Sequence, residues 1–467
     1  MPRTPLRISR EPLLTSDQLE AIESTAIAIL EDVGVMVGPQ RLIDTMQAKG
    51  FTIRGDRVVF EPSVVREFLD AERAKPVTTP DIVSELTLGV SQYSRNYLDP
   101  ETGEIQPYTT QSLIEAARIV DGLASRGVRA GAPGTPVDVH PELESVSVYH
   151  TSLTHTRHGM HPPDPRSVTA QRYLMEMADC VGYAMPLLPV YVNSPLCLAG
   201  ESLDSVLAFE DRLESTWMVS MPTAGATAPI RTGETFALSA AEVIGSAIVM
   251  REATDLEIGW GVQGFPFDMR QVSIVYGSPE NLLMQFMANE VDAYLHGTTA
   301  LSGASNIHTM AKLPGPQAAA EKSSIMTTGA MLGSRHFDCG GTLGMDEIFS
   351  PEQLVIDCEI KDHVATTIAG LDGDCDETAC VEQVRQGIKR GFLGLDETLD
   401  HYKDVCWYPD LFERGLMGPW ERSDGRDLRE VARELVHEAT ERSDFELPAD
   451  QQREIDRIYA SAVRELG

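Results

Sequence analysis

The chain contains 467 residues, of which 42% are hydrophobic, and this is enough for one barrel-sized core of about 250 residues with smaller elements at both ends. Its 71 acidic and 38 basic residues give a formal net charge of −33, so nucleic-acid backbones and anionic membrane surfaces would repel it. We therefore expect neither nucleic acid nor a membrane as a partner.

The cysteines and the apolar runs bear on the compartment. Seven cysteines are scattered along the chain without a C-x-x-C pair, which argues against a disulfide framework and a cysteine zinc site. The amino terminus lacks the apolar run of a signal peptide. The longest apolar run, residues 237–250, is interrupted by Glu242 and is too short to cross a bilayer of about 30 Å. These observations predict a cytoplasmic protein in which residues 237–250 form a packed helix.

Residues 1–106 are predicted to form an N-terminal helical lobe and a connecting segment. A capping box between Thr15 and Gln18 predicts the start of a helix that Gly34 ends. Further helices are expected at 39–49 and 62–73, with a short hairpin around 55–60 between them.

The next part of the chain, residues 107–400, alternates apolar segments that end in Gly, Ser, Asn or Pro with longer amphipathic segments. This rhythm predicts an α/β fold, a (β/α)8 TIM barrel. The predicted strands are 187–198, 216–225, 256–265, 295–307 and 334–344, and the predicted helices between them begin at Leu203, Glu234, Pro279 and Pro316. Residues 401–467 are predicted to form a C-terminal helical tail, with helices at 428–442 and 450–466 that pack on the barrel or permit a homo-oligomer.

Two motifs that resemble metal sites fail on spacing. The histidines at 150, 155, 158 and 161 contain no H-E-x-x-H pattern. The acidic run 372–377 begins like a calcium loop but has Glu377 where that loop requires glycine. We expect hydrogen-bonded or solvated side chains at both places and no metal site.

The predicted strands end in segments with few charges, and in a barrel such ends form the active site. Gly, Ser, Asn, Gln and aromatic residues dominate them, so a large flat cofactor could approach the backbone closely. Aromatic residues near the same end could surround a cation with their π faces, at about 0.5 to 2 kcal/mol for each contact. These aromatic residues are Tyr93, Tyr97, Phe265, Phe267 and Phe337.

Four segments make a family resemblance visible: 22–37, 97–109, 221–229 and 350–360. Together they resemble the trimethylamine:corrinoid methyltransferase family over nearly the whole chain. The resemblance implies a (β/α)8 barrel that moves a methyl group from a methylated amine to the cobalt of a partner corrinoid protein. Founding members carry pyrrolysine in a barrel loop, whereas this chain has only standard residues, with 340–345 in the region that looks equivalent. Its absence favours the branch that acts on glycine betaine and other quaternary amines.

The resemblance and the strand-end positions together suggest roles for individual residues. His336 and Tyr97 are the predicted catalytic residues. The substrate would contact Tyr93, Asn193, Gln263, Phe265 and Phe337. The corrinoid (cobalamin) of the partner protein would approach Gly225, Ser302, Gly303, Gly340 and Gly341. Arg157 or Arg335 are alternative donors to a betaine carboxylate, and Glu201 or Asp338 could balance the ammonium.

Other functions remain open at the level of sequence. The acceptor could be a folate, or the donor a sulfonium compound such as dimethylsulfoniopropionate. A non-catalytic betaine-binding protein would share the aromatic cage, because a fold does not by itself determine a function. A metal-dependent barrel hydrolase that uses the histidines between 150 and 161 is disfavoured by their spacing.

Overall fold

The computed structural model describes residues 6, 8–76, 85–298, 303–422 and 425–467. The α-helices are α1 (Ser16–Asp32), α2 (Gln40–Ala48), α3 (Pro62–Arg73), α4 (Thr110–Gly122), α5 (Glu144–His155), α6 (Val168–Cys180), α7 (Glu201–Ala208), α8 (Thr232–Ala253), α9 (Pro279–Leu295), α10 (Pro316–Met331), α11 (Pro351–Ala369), α12 (Glu377–Arg390), α13 (Asp396–Val405), α14 (Met417–Arg422), α15 (Leu428–Arg442) and α16 (Ala449–Leu466).

Short strands alternate with these helices. They are β1 (Val35–Val37), β2 (Thr52–Arg54), β3 (Arg57–Val59), β4 (Thr87–Val90), β5 (Asn96–Leu98), β6 (Ile105–Pro107), β7 (Leu187–Val192), β8 (Cys197–Leu198), β9 (Ser215–Ser220), β10 (Glu257–Trp260), β11 (Phe267–Asp268), β12 (Ser273–Ile274), β13 (His336–Gly340), β14 (Thr342–Leu343) and β15 (Ile348–Phe349).

The N-terminal helices form as the sequence predicts. Thr15 and Gln18 make a reciprocal capping box at the start of α1. The following Gly34 has a φ of +71°, and a Cβ there would lie 2.3 Å from the carbonyl oxygen of Val58. Glycine is therefore required both for the left-handed turn and for the close approach of β3. The buried face of α1 packs against α8.

Three of the strands, β7, β9 and β10, form a parallel sheet. In it β9 lies between β7 and β10, with Ser215 opposite both Leu187 and Glu257. The helix α8 connects β9 to β10 and packs on both strands. The predicted strands at 187, 216 and 256 are confirmed here, although each is shorter than predicted.

A second parallel sheet pairs strands that are far apart in the sequence. His336 of β13 lies opposite Thr87 of β4, while single bridges add Val128 beside β4 and Asn306 beside β13. The sequence assigns residues 87–90 to the N-terminal lobe, but these hydrogen bonds join them to β13, which lies in the predicted barrel strand 334–344. The described strands thus form a mixed α/β fold in which these two sheets are parallel. The other strands form two mixed four-stranded sheets, β2-β3-β1-β8 and β14-β15-β5-β6, and the antiparallel pair β11-β12.

The predicted strand 295–307 is wrong in its first part. Leu295 is the last residue of α9, and Gly297 follows it with a φ of +66°. An apolar helix end followed by glycine and an extended segment gives the same local pattern as one long strand. Residues 299–302 lie outside the described residues, and the extended part is seen only as the bridge at Asn306.

The helix α8 is long and apolar enough to cross a membrane by length and composition alone. However, 89% of its most apolar window is buried inside the protein. It packs against α1, α2 and the strands β9 and β10. The prediction that residues 237–250 belong to a packed helix is confirmed.

The two C-terminal helices α15 and α16 pack on other helices of the protein. α15 packs on α4 and α11, and α16 packs on α5 and α6. The carboxylate of Glu352, which is fully buried, accepts hydrogen bonds from Arg429 at 2.7 Å and Arg433 at 2.8 Å. His150, from the histidine-rich segment, contacts Asp456 of α16 at 2.8 Å and stacks on Tyr459. Within the predicted tail, α15 and α16 therefore pack on the rest of the chain.

Candidate functional site

A cavity of about 200 Å³ lies beyond the carboxyl end of β10. Three aromatic side chains line it: Trp217, Phe265 and Tyr276. The rings of Phe265 and Tyr276 are 5.5 Å apart between centroids. Gln263 and Gly303 also line the cavity, so the structure brings these two predicted residues together with Phe265. Rings and amides without a strong base suit the recognition of a small polar cation.

One carboxylate faces the same cavity. Asp292 projects from α9 and also lines the cavity. Its Oδ1 accepts a hydrogen bond from the backbone N–H of Val262 at 2.6 Å. Burial raises the pKa of Asp292 to about 7, and this hydrogen bond opposes the rise only in part. The group can therefore lose its proton near neutral pH when a cation binds beside it.

A second cluster adjoins the cavity through Tyr276, whose ring lies 4.4 Å from that of His308. His308 Nε2 is 2.8 Å from Asp346 Oδ1 and 3.2 Å from Cys339 Sγ. His308 and Cys339 are both more than nine-tenths buried. Burial lowers the pKa of His308, but the acidic groups of Cys339 and Asp346 outweigh burial and the pKa rises above its usual range.

A buried ion pair fixes the backbone around Cys339. Lys322 Nζ donates to the Cys339 carbonyl at 3.0 Å and to Asp357 Oδ2 at 2.7 Å. The same carboxylate oxygen accepts from the N–H of Gly341 at 2.8 Å. Both charged side chains are fully buried. The end of β13 is thus held by two hydrogen bonds, one to the Cys339 carbonyl and one from the Gly341 N–H.

A third polar cluster follows the carboxyl ends of β4 and β7. The hydroxyl of Tyr93 donates to Asp164, and that of Tyr191 donates to the same carboxylate at 3.0 Å. Burial and the neighbouring carboxylate raise the pKa of both tyrosines, so they remain donors. Half of Tyr93 is exposed, and the ring is therefore accessible from the strand ends.

The turn after β7 is held by a carboxylate from α8. Glu242 is fully buried and accepts from Ser194 Oγ and from the N–H of Leu196, both at 2.9 Å. Burial raises the pKa of Glu242 to about 7 even though these hydrogen bonds lower it. The adjacent Asn193 is exposed, and its Nδ2 donates to the carbonyl of Ala199 at 3.0 Å. Asn193 therefore lies at a strand end, as predicted.

Comparison with known proteins identifies the family. The trimethylamine methyltransferase (MTTB) family matches residues 4–465. The chain belongs to this family. It is similar to the trimethylamine methyltransferase MttB of Methanosarcina barkeri, with 29% identity over 224 residues, which are 47% of this chain and 44% of that protein. The chain thus spans less than half the length of that relative.

Another relative of this MTTB-family chain matches over more of its length. The glycine betaine methyltransferase of Desulfitobacterium hafniense is 22% identical over 430 residues, which cover 88% of each chain. Among solved structures, the monomethylamine methyltransferase MtmB of Methanosarcina barkeri covers 99% of this chain and 96% of its own, with 11% identity and a TM-score of 0.41.

Several residues predicted from the MTTB resemblance lie away from the cavity. Tyr97 is 5% exposed and packs edge-on against Tyr108 at 5.5 Å between centroids. Phe337 is fully buried in the same core cluster. Both rings face the protein core, so the structure does not bring the predicted catalytic Tyr97 or the predicted substrate contact Phe337 to this cavity. Ser302 lies outside the described residues.

His336 also differs from its predicted position. It is the first residue of β13, opposite the first residue of β4, so it lies at the amino end of the strand rather than at the carboxyl end. Its Nδ1 is 2.8 Å from Thr87 Oγ1 and its Nε2 is 3.0 Å from Asp338 Oδ1. The sequence run from 334 to 344 could not show at which residue the strand begins.

The glycines predicted to approach the corrinoid lie in two kinds of surroundings in this MTTB-family chain, tight packing and an exposed turn. A Cβ on Gly340 would lie 2.9 Å from the Gly89 carbonyl oxygen, and one on Gly341 would lie 2.6 Å from the Phe349 ring. Both positions are buried, and close packing accounts for glycine there without a bound cofactor. By contrast, Gly225 is exposed in a turn with a φ of +86°.

Asp292, Tyr276 and Trp217 are the cavity residues that sequence reasoning missed. Asp292 lies in the last turn of a helix, where charged residues are common, and Trp217 lies in a strand, where aromatic residues are common. Their approach to Gln263 depends on tertiary packing, and no motif in the chain signals it.

Proposed function

We propose that this protein transfers a methyl group from a quaternary amine, glycine betaine or a related betaine, to the Co(I) centre of a corrinoid carried by a partner protein in the cytoplasm. Family membership and the similarity to a glycine betaine methyltransferase over 88% of each chain support a methylated-amine donor. The observation that carries the proposal is the cavity in which three aromatic rings stand beside one carboxylate.

The cavity has the chemistry that a quaternary ammonium group requires. Such a cation has no N–H to donate, so it is recognised by aromatic faces and by charge rather than by hydrogen bonds. Trp217, Phe265 and Tyr276 supply the faces, and Asp292 supplies the charge. A betaine also carries a carboxylate, which the side-chain amides of Gln263 or Asn306 can bind.

The transfer itself needs little acid–base chemistry. The acceptor, a Co(I) corrinoid, attacks the methyl carbon and forms the carbon–cobalt bond with its own electron pair. The carbon–nitrogen bond breaks at the same time, and its electron pair stays on nitrogen as a neutral tertiary amine. Because the leaving group is neutral, no proton is required, and the protein contributes positioning and desolvation.

We also infer that the strands continue into a closed eight-stranded barrel around this chemistry. The bridges at Val128 and Asn306 extend the β4–β13 sheet on both sides, and in a closed barrel β7, β9 and β10 would supply the opposite wall. A closed barrel would place the ends of β4, β7 and β10 around one mouth, which a partner corrinoid protein could cover.

The proposal is tested by mixing the purified protein with glycine betaine and a reduced corrinoid protein and measuring dimethylglycine by mass spectrometry. Product that depends on both partners is expected. The change Asp292→Asn should weaken betaine binding, measured by calorimetry, whereas Asp255→Asn removes an exposed carboxylate before β10 and should not. Binding without product, or product without any corrinoid, would contradict the proposed reaction.

A further inference from the structure

Three side chains of different chemistry converge where the second parallel sheet ends. They are His308, which follows the bridge at Asn306, Cys339 in β13, and Asp346 in the loop after β14. Their donor atoms, Nε2, Sγ and a carboxylate oxygen, all lie within 4.8 Å of one another. One imidazole, one thiol and one carboxylate are the three side-chain types that ligate zinc in proteins.

The separations between these donors are close to those of a tetrahedral site. Zinc binds nitrogen at about 2.0–2.1 Å, sulfur at about 2.3 Å and oxygen at about 2.0–2.2 Å, so its donors lie about 3.4–3.6 Å from one another. His308 Nε2 is 2.8 Å from Asp346 Oδ1 and 3.2 Å from Cys339 Sγ. The His308–Asp346 pair would open by about 0.6 Å and the His308–Cys339 pair by about 0.4 Å to admit the ion.

The surrounding structure restrains two of the three ligands, Cys339 and His308. Cys339 has a φ of +72°, a left-handed conformation that a non-glycine residue adopts only when its surroundings impose it. Its carbonyl accepts a hydrogen bond from Lys322, and the ring of His308 packs against the tilted ring of Tyr276. A ligand set that is already restrained loses little conformational freedom when an ion binds.

We propose that His308, Cys339 and Asp346 bind one zinc ion per chain. Three protein ligands leave one tetrahedral position open for water or for an oxygen atom of a bound molecule, as in sites that are not purely structural. The cavity that Tyr276 shares with this cluster lies next to it. The proposal concerns metal binding alone and does not depend on the proposed methyl transfer.

The experiment measures metal directly on the full-length protein. The protein is stripped with a chelator, dialysed, and titrated with Zn²⁺ and with Co²⁺, and bound metal is counted by mass spectrometry. We expect one ion per chain. With Co²⁺ we expect the near-ultraviolet charge-transfer absorption that a cobalt–thiolate bond gives, because Cys339 would be a ligand.

Matched variants separate this site from other cysteines and from unfolding. Cys339→Ser and His308→Gln should each weaken metal binding at least tenfold, and Cys339→Ser should abolish the charge-transfer band. Cys358→Ala removes another buried cysteine, on α11, and should leave both signals unchanged. Circular dichroism checks that each variant is folded. No stoichiometric metal in the wild-type protein, or equal binding by a folded Cys339→Ser variant, would overturn the assignment.

Discussion

The buried pair of Lys322 and Asp357 gives the sharpest stability prediction. Both side chains are fully buried, and the pair joins α10 to α11 below the end of β13. Lys322→Met keeps the length of the side chain but removes its charge, which leaves the Asp357 carboxylate buried with only neutral donors. Breaking one partner of such a pair costs about 3 to 5 kcal/mol of the free energy of unfolding.

A second substitution tests whether the uncompensated charge is the cause. In the double variant Lys322→Met/Asp357→Asn, the new amide oxygen can still accept from the N–H of Gly341. The new NH₂ replaces Oδ1, which accepts from Gln353 Nε2 at 2.9 Å in the wild type. It can donate to Gln353 once that amide turns over and presents its Oε1, a buried atom that has no partner among the described residues. We therefore expect the double variant to recover roughly half of the lost stability, since no buried charge remains.

Urea-induced unfolding at pH 7, followed by circular dichroism, measures these differences. Lys312→Met is the matched control, because Lys312 pairs with Glu347 at 3.2 Å on the surface with both side chains more than half exposed. That change should cost less than about 1 kcal/mol. If Lys322→Met costs no more than Lys312→Met, or if the double variant is less stable than Lys322→Met, the reasoning is refuted.

Three further predictions concern other carboxylates. Burial raises the pKa of Asp292 to about 7, so betaine affinity in calorimetry should rise from pH 6 to pH 8, and Asp292→Asn should flatten that rise; a pH-independent wild-type affinity would contradict it. Glu242 has a folded-state pKa of about 7 and an unfolded value near 4.5, so it lowers stability as pH rises through this window. Between pH 5 and pH 7.5 the urea midpoint of Glu242→Gln should therefore fall less than that of the wild type. An equal fall in both proteins would refute this. Removing both Arg429 and Arg433 leaves buried Glu352 unpaired, so limited proteolysis should release the C-terminal helices faster than in the wild type; equal rates would count against this.

Local signals in the sequence predicted much of the fold. Thr15 and Gln18 mark the start of α1, because a capping box satisfies backbone donors whatever the rest of the chain does. The strands β7, β9 and β10 follow from apolar runs that end in turn residues. The first part of the predicted strand 295–307 is wrong because an apolar helix end and a strand share the same short-range pattern.

The candidate site was predictable only in part. Gln263 and Phe265 follow directly after β10, and a strand end is a position that sequence can locate. Tyr97 looked equally suitable, but its burial against Tyr108 depends on residues in another element. Likewise, Asp292 reaches the cavity from a helix, and helix periodicity does not show which cavity a side chain faces.

The pairing of β4 with β13 has a consequence for synthesis on the ribosome. The two strands lie about 250 residues apart along the chain. At roughly 5–20 residues per second, translation leaves about 12 to 50 s between the emergence of β4 and that of its partner. Throughout that interval one edge of β4 has no strand to bond with, and an unpaired edge attracts other chains. The edge of β4 therefore stays open to mispairing until β13 has emerged from the ribosome.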